Sequence, residues 1–377
     1  MASEGYKWAL GLMSGTSLDG VDVAMIETDG ERVRAFGPSM ETPFDPDVRA
    51  ELERATQVAL RWAFDGPMPN SLALATELVD GAHIAAVERF ARRYPDDFAR
   101  VSLIGYHGQT VLHDPPRGDP GRTLQLGTGQ VLADRFGLPV VWDFRSADMA
   151  AGGQGAPLAP AYHRALVEAA GLQEDVAVLN LGGVGNITTF SPLAASDCGP
   201  GNGPLDLWMM ATERRAYDHA GAFSLDGVPD FALVHRWLAQ EFFTRDLPRS
   251  ADRYQFDVLD AIDGMSTADG AATLCAFTAM AAAATARELS GPLSRIIVCG
   301  GGRHNHALMR MLAEEFRTTV CSSETLGWDG DALEAQAFAF LAVRSLRGLP
   351  LSYPGTTGVA EPMTGGRVAH PRATPPA

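Results

Sequence analysis

Three times along this chain an apolar run leads straight into a glycine-rich turn, and that repetition restricts the folds open to it. The first run is Trp8–Met13, followed by the turn Ser14-Gly15-Thr16-Ser17-Leu18-Asp19-Gly20 and then Val21–Ile26. The second is Val176–Leu181, with the turn Gly182-Gly183-Val184-Gly185-Asn186 and then Ile187–Phe190. The third is Ile296–Cys299, with the turn Gly300-Gly301-Gly302 and then His304–Phe316, whose apolar residues recur at helical spacing. The first two predict β-hairpins, and their similarity hints at an internal duplication. The third predicts a strand–loop–helix unit.

Further strands are expected at Val101–Tyr106 and Leu138–Trp142, and amphipathic helices at Asp47–Leu60, Leu72–Tyr94 and Leu158–Ala170. Ala271–Ala286, mostly Ala with Thr interleaved, is short for a membrane span and reads as a buried helix. Strands mixed with crossover helices indicate an α/β architecture. The 377 residues, 46% of them hydrophobic, are enough for two cored domains. A boundary is expected in the small, Gly-rich stretch near Trp142–Gly155, and the tail after Met363 reads as a frayed end.

Glycine lets backbone N–H groups converge on phosphate oxygens with no Cβ in the way. Two such hairpins facing each other can hold a triphosphate, with Thr16 and Ser17 adding hydroxyl donors. Asp19 could hold Mg²⁺ through water, and Gly300, Gly301 and Gly302 would let an adenosine lie against the backbone. Lys7 is the only lysine, so a phosphate loop ending in Gly-Lys-Ser/Thr is excluded. A net charge of −16 argues against binding nucleic acid or an anionic membrane through general charge. Cys198, Cys275, Cys299 and Cys321 form no C-x-x-C pair and Met1–Lys7 is no secretory leader, so a reduced, cytoplasmic setting is expected.

The ordered trio resembles the fold shared by sugar kinases, actin and the Hsp70 chaperones. The details are similar to the anhydro-N-acetylmuramic acid kinase family: Gly11-Leu-Met-Ser-Gly-Thr-Ser-Leu-Asp-Gly20, Tyr106-His-Gly-Gln-Thr110, Asp143-Phe-Arg145, Gly152-Gly-Gln-Gly-Ala-Pro157, Asn180-Leu-Gly-Gly183, Asn186-Ile-Thr188, Asp197-Cys-Gly-Pro-Gly-Asn202, Cys299-Gly-Gly-Gly-Arg-His-Asn305 and Glu334-Ala335. They run in family order over most of the chain. One segment departs. Where the family usually has Pro-Pro-Lys-Ser-Thr-Gly-Arg-Glu, this chain has Leu247-Pro248-Arg249-Ser250-Ala251-Asp252-Arg253-Tyr254, and no family role is carried onto it.

The resemblance implies a two-lobed, actin-like ATPase fold of duplicated RNase H-like domains with a central nucleotide cleft. The lobes expected are 1–145 and 146–345, with 346–377 packing back on the first. It implies an enzyme that uses ATP, Mg²⁺ and water to open the 1,6-anhydro ring of a muramic sugar and phosphorylate O6, in cell-wall recycling. Members are often dimers, so a homodimer is an expectation. Implied nucleotide contacts are Gly15, Thr16, Ser17, Leu18, Asp19, Gly20, Val21 and Asp22, then Gly182, Gly183 and Asn186, then Gly300, Gly301, Gly302 and Asn305. Implied sugar contacts are His107, Gln109, Asp143, Arg145 and Glu334.

Water attacking an anomeric carbon needs a carboxylate to take its proton. Asp197, just before a tight Gly-Pro-Gly, is the implied base; the plain alternative is an Asx-turn. Asp143 is the rival, following an apolar strand. Arg145 lies two residues on, so both could share one face of an extended segment, and an Asp paired with Arg is a weaker base. Asp331 with Glu334 also fits a helix-start box with Asp331 as cap. Trp208 reads as core, and Cys198 lacks a nearby His to activate it.

Overall fold

The computed structural model describes residues 5–116, 121–251 and 255–372. They form two compact units. One comprises the chain up to Ala169 with Glu334–Pro354 and the segment from Val359; the other is Ala170–Leu333 with Gly355–Gly358.

In the first unit β1 (Lys7–Ser14), β2 (Gly20–Thr28) and β3 (Val33–Pro43) form an antiparallel meander. β4 (Leu103–Asp114) lies parallel to β1, and β5 (Arg122–Leu126) pairs antiparallel with its far end. β6 (Val140–Trp142) runs parallel to β4. In the second unit β7 (Val176–Leu181), β8 (Gly185–Phe190) and β9 (Leu193–Gly199) repeat the meander. β10 (Arg295–Cys299) lies parallel to β7, and β11 (Thr319–Ser322) parallel to β10. The orders are β6-β4-β1-β2-β3 and β11-β10-β7-β8-β9. Both sheets therefore place their first hairpin strand centrally, with the crossover strands on one side and the meander on the other. This is the duplicated α/β architecture that the repeated hairpins point to.

The central strands are nearly all apolar; all six residues of β7 are buried. Helix Pro46–Trp62 starts where Asp45 accepts from the Asp47 N–H and proline takes the first turn. Helix Asn70–Arg93 turns Val79, His83, Ala86, Val87 and Phe90 inward. The Ala-rich segment is the buried helix Thr267–Leu289, capped by Ser266 and packed among Trp208 and Trp237. Trp208 is core, its indole N–H donating to the Thr267 carbonyl (3.0 Å). Among the described residues no helix is long and apolar enough to cross a membrane.

Gly11 and Gly105 pair in register on β1 and β4. A Cβ on Gly11 would lie 1.7 Å from the Ala335 carbonyl oxygen, and one on Gly105 2.2 Å from that of Phe338. Two adjacent glycines thus make a groove in which helix Leu333–Leu346 lies with its backbone against the sheet.

The observed break after Ala169 differs from the expected one at 145. Asp148 holds the Gly155 N–H (2.7 Å) and the Ser352 hydroxyl, and Tyr162 donates to Gln336 (2.7 Å). These contacts tie residues 146–169 to the first unit. The tail also differs from the expected fraying. Arg367–Ala369 forms β12, antiparallel to β6, because that edge strand has unmet N–H and C=O groups. Gly366 (φ +82°) turns the chain in, and the Arg367 guanidinium lies over the Trp142 ring at 4.8 Å. Only the last part of that expectation, 373–377, lies outside the described residues.

Candidate functional site

The first glycine turn joins β1 to β2 and is closed by the Leu18 N–H donating to the Gly15 carbonyl (3.2 Å). Gln109, fully buried on β4, donates to the same carbonyl (3.1 Å), and the Ser14 hydroxyl donates to the Gly108 carbonyl (3.1 Å). Gln109 thus braces the loop from behind, which its motif position did not reveal. Its Oε1 is buried without a hydrogen-bond partner among the described residues. Leu18 and Val21 put their side chains in the core, so only their backbone could meet a ligand. Thr16 and Asp19 are exposed. The Asp19 carboxylate lies 3.9 Å from Arg49 Nη1.

In the second unit the Asp197–Asn202 segment is laced to the second glycine turn. The Asn202 N–H donates to the Gly182 carbonyl (2.7 Å) and the Gly203 N–H to that of Gly183 (3.1 Å). The Asn202 side chain donates to the Leu181 carbonyl (2.9 Å). Asp197 is buried opposite Asn186 in the β8–β9 ladder. Its N–H donates to the Arg249 carbonyl (3.0 Å) and its Oδ2 accepts from the Ala251 N–H (2.8 Å). The carboxylate is therefore oriented from outside its own turn, by the segment that departs from the family pattern. Residues 252–254 of that segment lie outside the described residues. The neighbouring Cys198 thiol is pushed well up by burial and by the Asp197 charge, so it stays protonated and is no nucleophile.

The third turn carries Arg303 into the interior. Its guanidinium makes a two-pronged contact with Asp331 (2.8 and 2.8 Å), reaches Glu324 (2.6 Å) and donates to the Gly300 carbonyl (3.0 Å). The contact with Arg303 holds the Asp331 carboxyl below its usual range. Asp331 is thus a clamp on the glycine loop, not a helix cap. Asn305 caps helix His306–Phe316 by accepting from the Leu308 N–H (3.0 Å). Its side chain is thereby spent on the fold.

Gly15, Gly182 and Gly301 sit where a Cβ would meet nothing nearer than 3.5, 3.9 and 3.7 Å. Protein packing does not require glycine at these three positions, one in each turn. Gly300 is the contrast, at φ +73° with a Cβ 2.5 Å from the Asn180 Oδ1. Gly301→Ala should therefore leave the thermal midpoint within about 1–2 °C, and, on the expectation that an adenosine lies against this turn, raise the ATP KM roughly tenfold. Gly300→Ala should instead cost stability of about 1–3 kcal/mol. Thermal melts and ATP titration of the two variants check the contrast.

His107 is buried, 4.5 Å centroid to centroid from Phe338. Its Nδ1–H donates to the Gly108 carbonyl (2.8 Å), and Nε2 accepts from the Arg145 guanidinium (3.2 and 3.0 Å). Burial, with the adjacent Arg145 charge, keeps the ring neutral and its pKa well below the usual value. Arg145 also donates to the Gly155 carbonyl (2.7 Å). The segment is not extended, as expected from the sequence: Asp143 is left-handed (φ +53°) and Arg145 helical (φ −96°, ψ −30°), so the alternation argument for one shared face fails. A cavity of about 150 Å³ is lined by His107, Thr123, Gln125, Trp142, Asp143 and Ser146 among others. Thr123 and Gln125 had no sequence signal, because β5 is brought there only by pairing with β4. Glu334 is exposed at the start of helix Leu333–Leu346.

Residues 7–371 match a family model described as anhydro-N-acetylmuramic acid kinase. A protein of that name from Acidiphilium cryptum is 50% identical over 368 residues, covering 96% of this chain and 98% of its own. Another from Phenylobacterium zucineum is 48% identical over 367 residues, covering 96% and 99%. Among solved structures, an activator of 2-hydroxyisocaproyl-CoA dehydratase from Clostridium difficile with bound ADPNP has TM-score 0.46 at 11% identity, covering 90% of this chain and 96% of its own. A xylulose kinase from Lactobacillus acidophilus has TM-score 0.39 at 10% identity, covering 97% and 94%.

Proposed function

The chain belongs to the anhydro-N-acetylmuramic acid kinase family, and from that premise we propose how its own residues divide the work. The protein is an ATP-dependent kinase that opens the 1,6-anhydro ring of 1,6-anhydro-N-acetylmuramic acid with water and phosphorylates O6, yielding N-acetylmuramate 6-phosphate.

In our reading Asp197 takes a proton from the water that attacks the anomeric carbon. The C1–O6 bond breaks as the new C1–O bond forms. O6 then attacks the γ-phosphorus, and ADP leaves. The observation that carries this reading is the hydrogen-bonded splice of Asp197–Gly203 onto Gly182 and Gly183. Base and phosphate cradle become one rigid piece, which in-line transfer requires. Gly15–Asp22 of the first unit, with Gly182, Gly183, Asn186, Gly300–Gly302 and Asn305 of the second, hold the nucleotide, Leu18, Val21 and Asn305 through backbone only. Asp143, Arg145 and Glu334 contact the sugar, with His107 and Gln109 supporting from behind.

Among the described residues no group of three or more His, Cys, Asp or Glu gathers into a metal cage. One exposed carboxylate, Asp19, fits Mg²⁺, which keeps its waters and leans on substrate phosphates. When bound there, Mg²⁺ would neutralise charge developing on the phosphates. The four cysteines are free thiols, which suits the cytoplasm proposed as its home. A homodimer is the assembly we propose on family resemblance.

The test is turnover of the anhydro sugar with ATP and Mg²⁺ in ¹⁸O water, read by mass spectrometry. A product carrying one phosphate and one ¹⁸O at the anomeric carbon is expected. Phosphorylation without ¹⁸O, or no turnover with ATP still bound, would overturn the coupled reaction and point to another sugar.

A further inference from the structure

Arg249 is 2% exposed, the bulkiest of the fully buried side chains. Its Nη1 donates to the carbonyls of Phe243 (3.1 Å) and Arg245 (3.0 Å), and its Nη2 donates to the Thr285 hydroxyl (3.1 Å). The guanidinium carbon lies 5.0 Å from the Phe242 ring centroid and 5.9 Å from that of Phe243. Among the described residues no carboxylate lies within ion-pair distance of it, and its Nε is without a hydrogen-bond partner. Glu288 adds only a longer-range attraction, and a buried cation held, among the described residues, chiefly by carbonyls, a hydroxyl and ring faces is a costly device for filling space.

Its backbone shows what the device holds. The Arg249 carbonyl accepts from the Asp197 N–H (3.0 Å), and the Arg249 N–H donates to the Ser196 hydroxyl (3.1 Å). Two residues on, the Ala251 N–H donates to Asp197 Oδ2 (2.8 Å). Two contacts at Asp197 thus flank a side chain anchored in the interior. Thr285, the far end of the anchor, is fully buried on helix Thr267–Leu289.

We propose that Arg249 is the positioning residue for Asp197. Its guanidinium staples the Arg249–Ala251 segment to the Phe243 and Arg245 carbonyls and to Thr285, and so fixes the backbone groups that aim the Asp197 carboxylate. The inference rests on the reading of Asp197 as the base. It gives a role to the segment that departs from the family pattern. An arginine there reaches both carbonyls through Nη1 and Thr285 through Nη2, two positions that the single Nζ of a lysine cannot occupy at once.

The test compares kcat and ATP KM for Arg249→Met, Arg249→Lys, Thr285→Val and Asp197→Asn. Arg249→Met should lower kcat about 100-fold, the scale of a carboxylate misplaced by about 1 Å, with ATP KM within about twofold. Arg249→Lys should recover kcat to within roughly tenfold of the native enzyme. A native kcat for Arg249→Met, or a Lys variant as slow as Met, overturns the proposal. If Arg249→Met does not fold, Thr285→Val decides: a several-fold fall in kcat at unchanged ATP KM supports the staple, and native kcat overturns it. Asp197→Asn separates the two readings. If it turns over at the native rate, the assignment of the base fails. If it is slow while Arg249→Met is native, only the staple fails.

Discussion

Asp197→Asn is expected to slow ring opening by about 10²- to 10⁴-fold, the usual contribution of a positioned general base, with ATP affinity unchanged. The substitution suits the site. An Asn Oδ1 can still accept the Ala251 N–H that Asp197 Oδ2 accepts now (2.8 Å), so the carboxamide keeps that contact while losing the basicity. Asp143→Asn is the matched control. Asp143 sits at φ +53°, where Asn is among the residues best tolerated, so this variant should also fold. It is expected to raise the KM for the sugar and to keep ring opening within about tenfold. Single-turnover assays in ¹⁸O water, with ATP binding measured separately, check both variants. A dead Asp143→Asn beside an active Asp197→Asn would exchange the two roles.

The second large effect is on stability. His83, His107 and His163 are each 4% exposed or less, and all belong to the first unit. Burial brings His83 and His163 down to about 4, and burial with the Arg145 charge holds His107 well below its ordinary value. At pH 7 these rings are neutral in the fold and mostly neutral in the unfolded chain, so little is lost. Below about pH 6.5 the unfolded chain takes up protons that the folded unit refuses, so stability falls with pH. With His113, which burial also brings down to about 4, these groups give a slope of roughly 5 kcal/mol per pH unit near pH 5. Urea denaturation at pH 7, 6 and 5 measures it. His83→Leu should remove about a quarter of the slope, because His83 donates to the Val79 carbonyl through Nδ1 while its Nε2 meets no partner among the described residues. A stability unchanged from pH 7 to 5 would show that these rings take up protons inside the fold.

The legible features are the local ones. Two continuous apolar runs joined by a short glycine turn announce a hairpin, and Trp8–Ile26 and Val176–Phe190 fold as β1–β2 and β7–β8. The buried helix was legible too, because a long run of Ala and Thr has no polar face to offer solvent. Misread features were those whose meaning depends on a distant partner. Asp331 resembles a helix cap until Arg303, 28 residues away, takes its carboxylate in both prongs. Arg145 resembles a partner for Asp143 until a left-handed residue breaks the extended geometry and His107 receives the guanidinium.

By itself, then, the sequence determined the repeated strand–glycine grammar, the duplicated α/β architecture and the placing of Asp197 before a tight Gly-Pro-Gly. These follow from side-chain periodicity and backbone sterics, which act within a few residues. The tertiary structure alone decided that Arg367–Ala369 closes the sheet edge at β6, that Gly11 and Gly105 together admit a helix backbone, and that Arg249 lies buried behind Asp197. Each depends on a desolvated partner tens or hundreds of residues away, and no local pattern encodes which of many arginines or edge strands will find it.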